Sequence, residues 1–176
     1  MSTWRALPIG QAADLAGELH TLDWSWSMHD AHTIAEQFGW TEISQRPRRV
    51  TLDIGFGPDS GTIRAKNGQV TSIELQLTDF TDAPEKIEVA TAFDNFGAAV
   101  SARLGKPTVR VAGPFLQYRW AGAEATVVLE RSAASVWLYL ITNARLAADD
   151  RNIELDEQAC CDRRPAGSDI GARRPP

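Results

Sequence analysis

"SVWLYLIT", residues 135–142, is the run whose reading decides the fold. A strand with one wet face alternates apolar and polar side chains. This one is apolar on both faces, so it predicts a strand at the centre of a sheet or one covered by helices. Two further strands are expected before it, at 115–120 and 124–130, and a closing helix after it at 143–158.

Upstream, the pattern is half polar. Val50, Leu52, Ile54 and Phe56 share one face, with Thr51, Asp53 and Gly55 on the other. Ile73, Leu75 and Leu77 alternate in the same way with Ser72, Glu74 and Gln76. Between them "KNGQ", residues 66–69, carries Asn-Gly, which tolerates positive φ at both central positions of a hairpin turn. Such alternation indicates an antiparallel sheet with one solvated face.

Helices punctuate the strands. Ile9, Ala12, Ala16 and Leu19, with Leu15 and Leu22 beside them, predict an amphipathic helix over 9–22, with Pro8 at its first turn. A short second helix takes Asp30 as N-cap and Gly39 as its stop. The longest spans 82–104, with Asp82 and Glu85 as a capping box and Val89, Phe93, Phe96, Val100 and Leu104 as its stripe. Phe38-Gly39 and Leu104-Gly105 each end a helix, and each precedes about three strands. The pattern fits an old duplication forming one continuous sheet, or two unrelated α+β units. The expected fold class is therefore α+β: a mainly antiparallel sheet of two helix-plus-meander units, with an N-terminal helix. Residues 1–160 form one domain, and 161–176, rich in Pro, Gly and Arg, form a disordered tail.

The 176 residues are 43% hydrophobic and carry a net charge of −5, a balance that suits a globular protein and disfavours nucleic acid or anionic lipid as partner. No charged-then-apolar leader follows Met1, and no run approaches the roughly 20 apolar residues that span a bilayer, so a cytoplasmic protein is expected. Cys160 and Cys161 are the only cysteines, which excludes a disulfide framework, a thiolate zinc cluster and a cysteine nucleophile in the body.

Three stretches invite a functional reading. "TLDWSWSMHDAH", residues 21–32, crowds Trp24, Trp26, His29 and His32 with Asp23 and Asp30. Two histidines three apart lack a third convergent ligand, so the better reading is an extended arm with both indoles on one face, then a helix cap. "GFGPDSG", residues 55–61, follows a strand, but Ser60 stands where a dinucleotide loop needs glycine and no helix follows, so it reads as a hairpin loop. "LTDFTDAPE", residues 77–85, sets Asp79, Asp82 and Glu85 around Phe80, suited to a basic cleft on another protein. "QRPRRV", residues 45–50, reads as a charged strand edge. No nucleophile elbow, phosphate loop or metalloprotease motif occurs.

"DWSWSMHDAHTIAEQFGW", "VTSIELQLTD", "VSARLGKPTVRVAG", "YRW" and "VWLYLITNA" together resemble a family of small actinobacterial proteins associated with type VII secretion and polymorphic-toxin loci. Within it the chain looks most like the immunity factors of NAD-glycohydrolase toxins of the mycobacterial necrotizing kind. The resemblance covers residues 22–144 and rests on packing residues. It implies a proteinaceous inhibitor with no catalysis, cofactor or metal of its own. Its partner would be the folded toxin domain, whose NAD-binding cleft it blocks. The expected contacts are Asp79, Phe80 and Asp82 with the hairpin tip at Asp59, or alternatively Trp24, Trp26 and His29. A secretion chaperone binding an extended client segment is the rival reading. A small-molecule enzyme, with His29, Asp30 and Arg119 as its polar groups, is a further one.

Overall fold

The structure, a computed structural model, describes residues 3–82 and 86–162. Contacts divide the chain into a unit of residues 1–143 and a second from 144 onward. The first holds helices α1 (Ile9–His20), α2 (Ala31–Phe38) and α3 (Lys86–Leu104). Its strands are β1 (Thr41–Arg46), β2 (Arg49–Asp53), β3 (Gly61–Lys66), β4 (Gln69–Gln76), β5 (Val109–Val111), β6 (Leu116–Ala121), β7 (Ala125–Arg131) and β8 (Val136–Thr142). The second unit carries most of α4 (Asn143–Asp162).

All the strands form one antiparallel sheet in the order β1-β2-β3-β4-β8-β7-β6-β5. Two meanders, each preceded by a helix, are thus joined through their last strands. Each has four strands where about three were expected. The additional strands are β1 and β5, the two edges of the sheet. Both are largely exposed, so no burial imposes an alternation that sequence could display. β8 lies at the centre, between β4 and β7, as its apolar pattern requires.

One face of the sheet is the core. Val50, Ile63, Ile73, Leu140, Val127 and Trp120 pair in register across it and are all buried. A second row crosses the seam between the meanders at Leu75 and Leu138, both fully buried. Gly61 stands in this row opposite Leu52, and a Cβ there would lie 2.7 Å from Ile54 Cγ2. Glycine is needed at that point because Ile54 folds over the strand.

Helices α1, α2 and α3 cover this face. α1 and α3 pack on each other and over β7 and β8, while α2 packs on β1. Val89, Phe93, Phe96 and Val100 of α3 are buried, as are Ala12, Ala16 and Leu19 of α1. α1 ends at His20, two residues short of expectation, where the Thr21 hydroxyl donates to Gly17 O at 3.1 Å. Ile9 was expected in the buried stripe but is 46% exposed, at the first residue of the helix.

The turns follow their chemistry. Asn67 and Gly68 have φ of 52° and 77°, the two positive values of the expected hairpin turn. Gly39 and Gly105 stop α2 and α3 with φ of 69° and 87°. The capping box that pairs Asp82 with Glu85 lies outside the described residues at Glu85. The tail expectation from residue 163 onward lies outside them as well. α4 runs on through Cys160 and Cys161 to Asp162, beyond the expected end at 158. Among the described residues, no helix is long and apolar enough to cross a membrane.

Candidate functional site

The face of the sheet opposite the core carries a stripe of aromatic rings. Trp137 and Tyr139 are alternate residues of β8, so the pleat sends both to this face. Their rings stack with centroids 6.3 Å apart. Phe80, just past β4, continues the line with its centroid 6.2 Å from Trp137. Phe80 is 63% exposed, and Trp137 and Tyr139 are half-buried. The apolar residues on both sides of β8 therefore have two roles: Val136, Leu138 and Leu140 face the core, and Trp137 and Tyr139 build the stripe.

Polar side chains on the neighbouring strands hold the stripe. The Tyr139 hydroxyl donates to Glu130 Oε1 at 3.3 Å, and Gln117 Nε2 donates to the other oxygen at 2.6 Å. Arg119 Nε donates to Gln117 Oε1 at 2.8 Å, extending the chain of bonds across β6 and β7. On the β4 side, Glu74 Oε1 accepts from Arg64 Nε at 2.7 Å and from the Ser72 hydroxyl at 3.2 Å. Burial, and then the charges of Glu130 and Glu74, push the Tyr139 phenol well above its ordinary value. It stays protonated and acts as a hydrogen-bond donor. Trp137 Nε1 donates to Ser135 Oγ at 2.9 Å, which fixes the indole.

The segment bearing Phe80 is pinned from both sides. Thr81 N donates to Ala134 O at 2.9 Å, and Val136 N donates to the buried Thr78 hydroxyl at 3.0 Å. Asp79 is held by Arg5, whose Nε and Nη2 each donate to its carboxylate at 3.0 Å. Asp79 was expected as a free rim charge; the structure makes it half of an ion pair. The Arg5 hydrogen bond holds its carboxyl below the usual range. Arg5 also donates from Nη2 to Phe56 O at 3.3 Å and stacks over the Phe56 ring, 4.6 Å from its centroid. The two loops expected to form one interface, around Asp59 and around Phe80, thus meet at one end of the sheet through Arg5. Asp59 and Asp82 are both exposed there.

In the Asp59 loop the amides of Gly55 and Gly57 donate to Asp53 Oδ1 at 2.8 and 3.1 Å. A carboxylate of the chain itself occupies these donors, in keeping with a hairpin loop and not a phosphate cradle. Asp59 adopts a positive φ of 64° at the tip.

Trp24, Trp26 and His29 lie at the opposite end, beside the β3–β4 turn. Val70 N donates to Trp26 O at 2.7 Å and Met28 N to Gly68 O at 2.9 Å, so the extended arm is strapped to the hairpin. The two indoles are 5.3 Å apart, in keeping with an arm that gathers them. Asp30 stands at the N-cap of α2, but its side chain makes no cap bond. It accepts instead from the Ser25 hydroxyl and lies 3.3 Å from His29 Nδ1. Ser27 caps the 3-10 turn Met28–Asp30 that leads into α2, accepting from His29 N at 3.3 Å. His32 is flanked by Glu36 at 3.2 Å and Glu42 at 3.1 Å, and the Glu42 hydrogen bond, then the charges of Glu36 and Glu42, raise its pKa. Among the described residues no group of three His, Cys, Asp or Glu side chains could hold a metal. Arg119 lies three strands from the β3–β4 turn, about 14 Å at ordinary strand spacing, so it shares no pocket with His29 and Asp30.

Sequence reasoning singled out Phe80 but missed Trp137, Tyr139, Glu130 and Glu74. The signal was available in the failure of β8 to alternate, which was read as burial alone.

Among solved structures, the chain is similar to a DUF4309 family protein (YjgB) from Bacillus subtilis, at 9% identity and a TM-score of 0.42, covering 77% of this chain and 95% of that one. No curated protein matches the sequence. The family model of DUF6301, a family of unknown function, matches residues 10–142, from the second residue of α1 to the end of β8, and the chain belongs to that family.

Proposed function

We propose that the protein is an immunity protein, which binds a cognate NAD-glycohydrolase toxin in the cytoplasm of the producing cell and blocks its NAD-binding cleft. The observation that carries a protein-binding role is the Phe80–Trp137–Tyr139 stripe, with Phe80 projecting at its end on a pinned segment. An exposed ring backed by half-buried ones and held on a pinned segment loses little freedom on association, which is how interface anchors work. The resemblance to immunity factors supplies the identity of the partner. The net charge of −5 suits it, because a cleft built for a pyrophosphate is electropositive. Asp59 and Asp82 are exposed at the end of the sheet that carries Phe80, and would meet the rim of such a cleft.

The sheet edges favour a folded partner over an extended one. β5 has three residues, and the register of β1 breaks between Glu42 and Ser44. Neither offers the long regular ladder that strand addition by a chaperone's client requires.

The test is co-purification from the native host with identification of the partner, followed by titration of this protein into the purified, folded partner with NAD hydrolysis as readout. Stoichiometric inhibition supports the proposal. A partner captured only as an unfolded or extended segment would make the protein a secretion chaperone, and turnover of a small molecule would make it an enzyme.

A further inference from the structure

A groove of about 330 Å³ opens between the segment that leads into α1 and the first turns of α3. Trp4, Leu7 and Ile9 line it from the first, Ile87 and Phe96 from the second, and Glu88 brings a carboxylate to it. Leu7 and Phe96 are buried, whereas Ile9 is 46% exposed and Ile87 78% exposed.

The groove is continuous with the segment that presents Phe80. Leu7 N donates to Leu77 O at 2.7 Å, Ala6 and Thr78 form an antiparallel bridge, and Trp4 Nε1 donates to Asp79 O at 3.0 Å. That last carbonyl belongs to the peptide unit joining Asp79 to Phe80, so the wall of the groove is bonded to the backbone that carries the ring. The Arg5–Asp79 ion pair locks the same two segments together. Phe80 turns toward Trp137 on the open face of the sheet, while the groove lies on the side that α3 covers. Among the described residues eight large hydrophobic side chains are exposed, and three of them, Ile9, Phe80 and Ile87, gather at this end. Single exposed apolar residues need no explanation, but a cluster of them marks a contact surface.

We propose that the groove is the second half of the partner interface. It takes one large apolar side chain, of phenylalanine or methionine size, from a loop of the folded protein that Phe80 anchors. This inference rests on the protein-binding reading above. Each molecule then inserts one side chain into the other across the end of the sheet. The volume is room for roughly eleven water-sized groups, which suits one large side chain and the backbone that bears it. Seated between Trp4 and Phe96, that side chain leaves water completely, as the central residues of an interface do. Ile9 and Ile87 are covered with it. Glu88 and Asp82, both exposed, set carboxylates around this apolar centre, so the inserted residue is one flanked by lysine or arginine.

The experiment has two arms on the full chain. The first follows the Trp4 indole N–H and the Ile9 and Ile87 methyl signals by NMR. The probes are N-acetyl-phenylalanine amide and N-acetyl-methionine amide, with N-acetyl-alanine amide as control. Saturable shifts with Kd about 1–10 mM are expected for the large side chains, with the alanine derivative at least about ten-fold weaker. Thr91→Trp, which fills the groove from its exposed rim, should weaken the probes about five-fold or more. Ile87→Asp should do so as a second variant, and Phe115→Ala, an exposed ring outside the groove, should not. The second arm measures dissociation of the partner obtained by co-purification, which Thr91→Trp and Ile87→Asp should each speed about ten-fold or more. No saturable shift, or an equal response to the alanine derivative, overturns the groove as a side-chain site. Unchanged dissociation in both folded groove variants, with Phe80→Ala still impaired, overturns this proposal and leaves the protein-binding reading standing. Unchanged dissociation in all three variants overturns both.

Discussion

Arg5 and Asp79 grip each other through side chain and backbone at once. The Arg5 guanidinium donates to both Asp79 oxygens, Arg5 N donates to Oδ2 at 2.9 Å, and Asp79 N returns a bond to Arg5 O at 2.8 Å. This clamp joins the chain's first described segment to the loop that presents Phe80. Because hydrogen bonding to Arg5 depresses the Asp79 pKa, the carboxylate stabilises the fold above its unfolded value of about 3.9, and that stability is lost as pH falls through the lower folded value. Asp79→Asn should lower Tm by about 1–3 °C at pH 7, as suits an exposed pair, and the deficit should begin to narrow as pH falls below about 4. Thermal melts of both proteins from pH 2 to 7 check it; a deficit that does not narrow at all toward the acid end means the clamp acts through its backbone bonds.

Phe80 is 63% exposed, so its removal should spare the fold and damage the interface. Phe80→Ala is expected to shift Tm by no more than about 2 °C while raising the dissociation rate of the partner about ten-fold or more. Asp59→Lys and Asp82→Lys should instead slow association and reduce its salt dependence. Surface-bound kinetics at two ionic strengths separate these effects. If Phe80→Ala dissociates like wild type while folded Trp26→Ala fails to bind, the interface lies at the arm's end of the sheet.

His32 titrates between two carboxylates. Its hydrogen bond with Glu42, followed by the charges of Glu36 and Glu42, raises its folded pKa above the ordinary 6.5. The charged form therefore stabilises the fold below about pH 6.5, and this is lost as pH rises through the raised value. His32→Gln should be less stable than wild type at pH 5.5 and indistinguishable from it at pH 9. NMR titration of the imidazole should place its pKa above 6.5, with Glu42→Gln moving it down; an unshifted midpoint would falsify the pairing.

Leu75 and Leu138 face each other across β4 and β8, where the two meanders join. Both are fully buried, so Leu138→Ala should cost about 2–5 kcal/mol by denaturant unfolding. A loss far below that range would mean the meanders are held together mainly by the helices above them. Gly61→Ala should cost about 1–3 kcal/mol for a different reason, the 2.7 Å approach of its new Cβ to Ile54.

Local chemistry made much of the fold legible. The Asn67-Gly68 turn, the glycine stops at Gly39 and Gly105, the stripe of α3 and the central place of β8 all depend on neighbours a few residues away, or on the period that burial imposes. The edge strands β1 and β5 escaped because exposed residues bear no such period. In the candidate site, Phe80 was legible from its acidic surroundings, but its alignment with Trp137 was not, for they are distant in sequence and meet only through the pairing of β4 with β8. Asp79 looked like a free charge until the fold brought Arg5 to it. Sequence by itself determined which residues could form helices, turns and a two-sided central strand. Tertiary structure alone decided that the meanders join through their last strands, because that choice rests on side chains interlocking across the β4–β8 seam, and no local spacing encodes it.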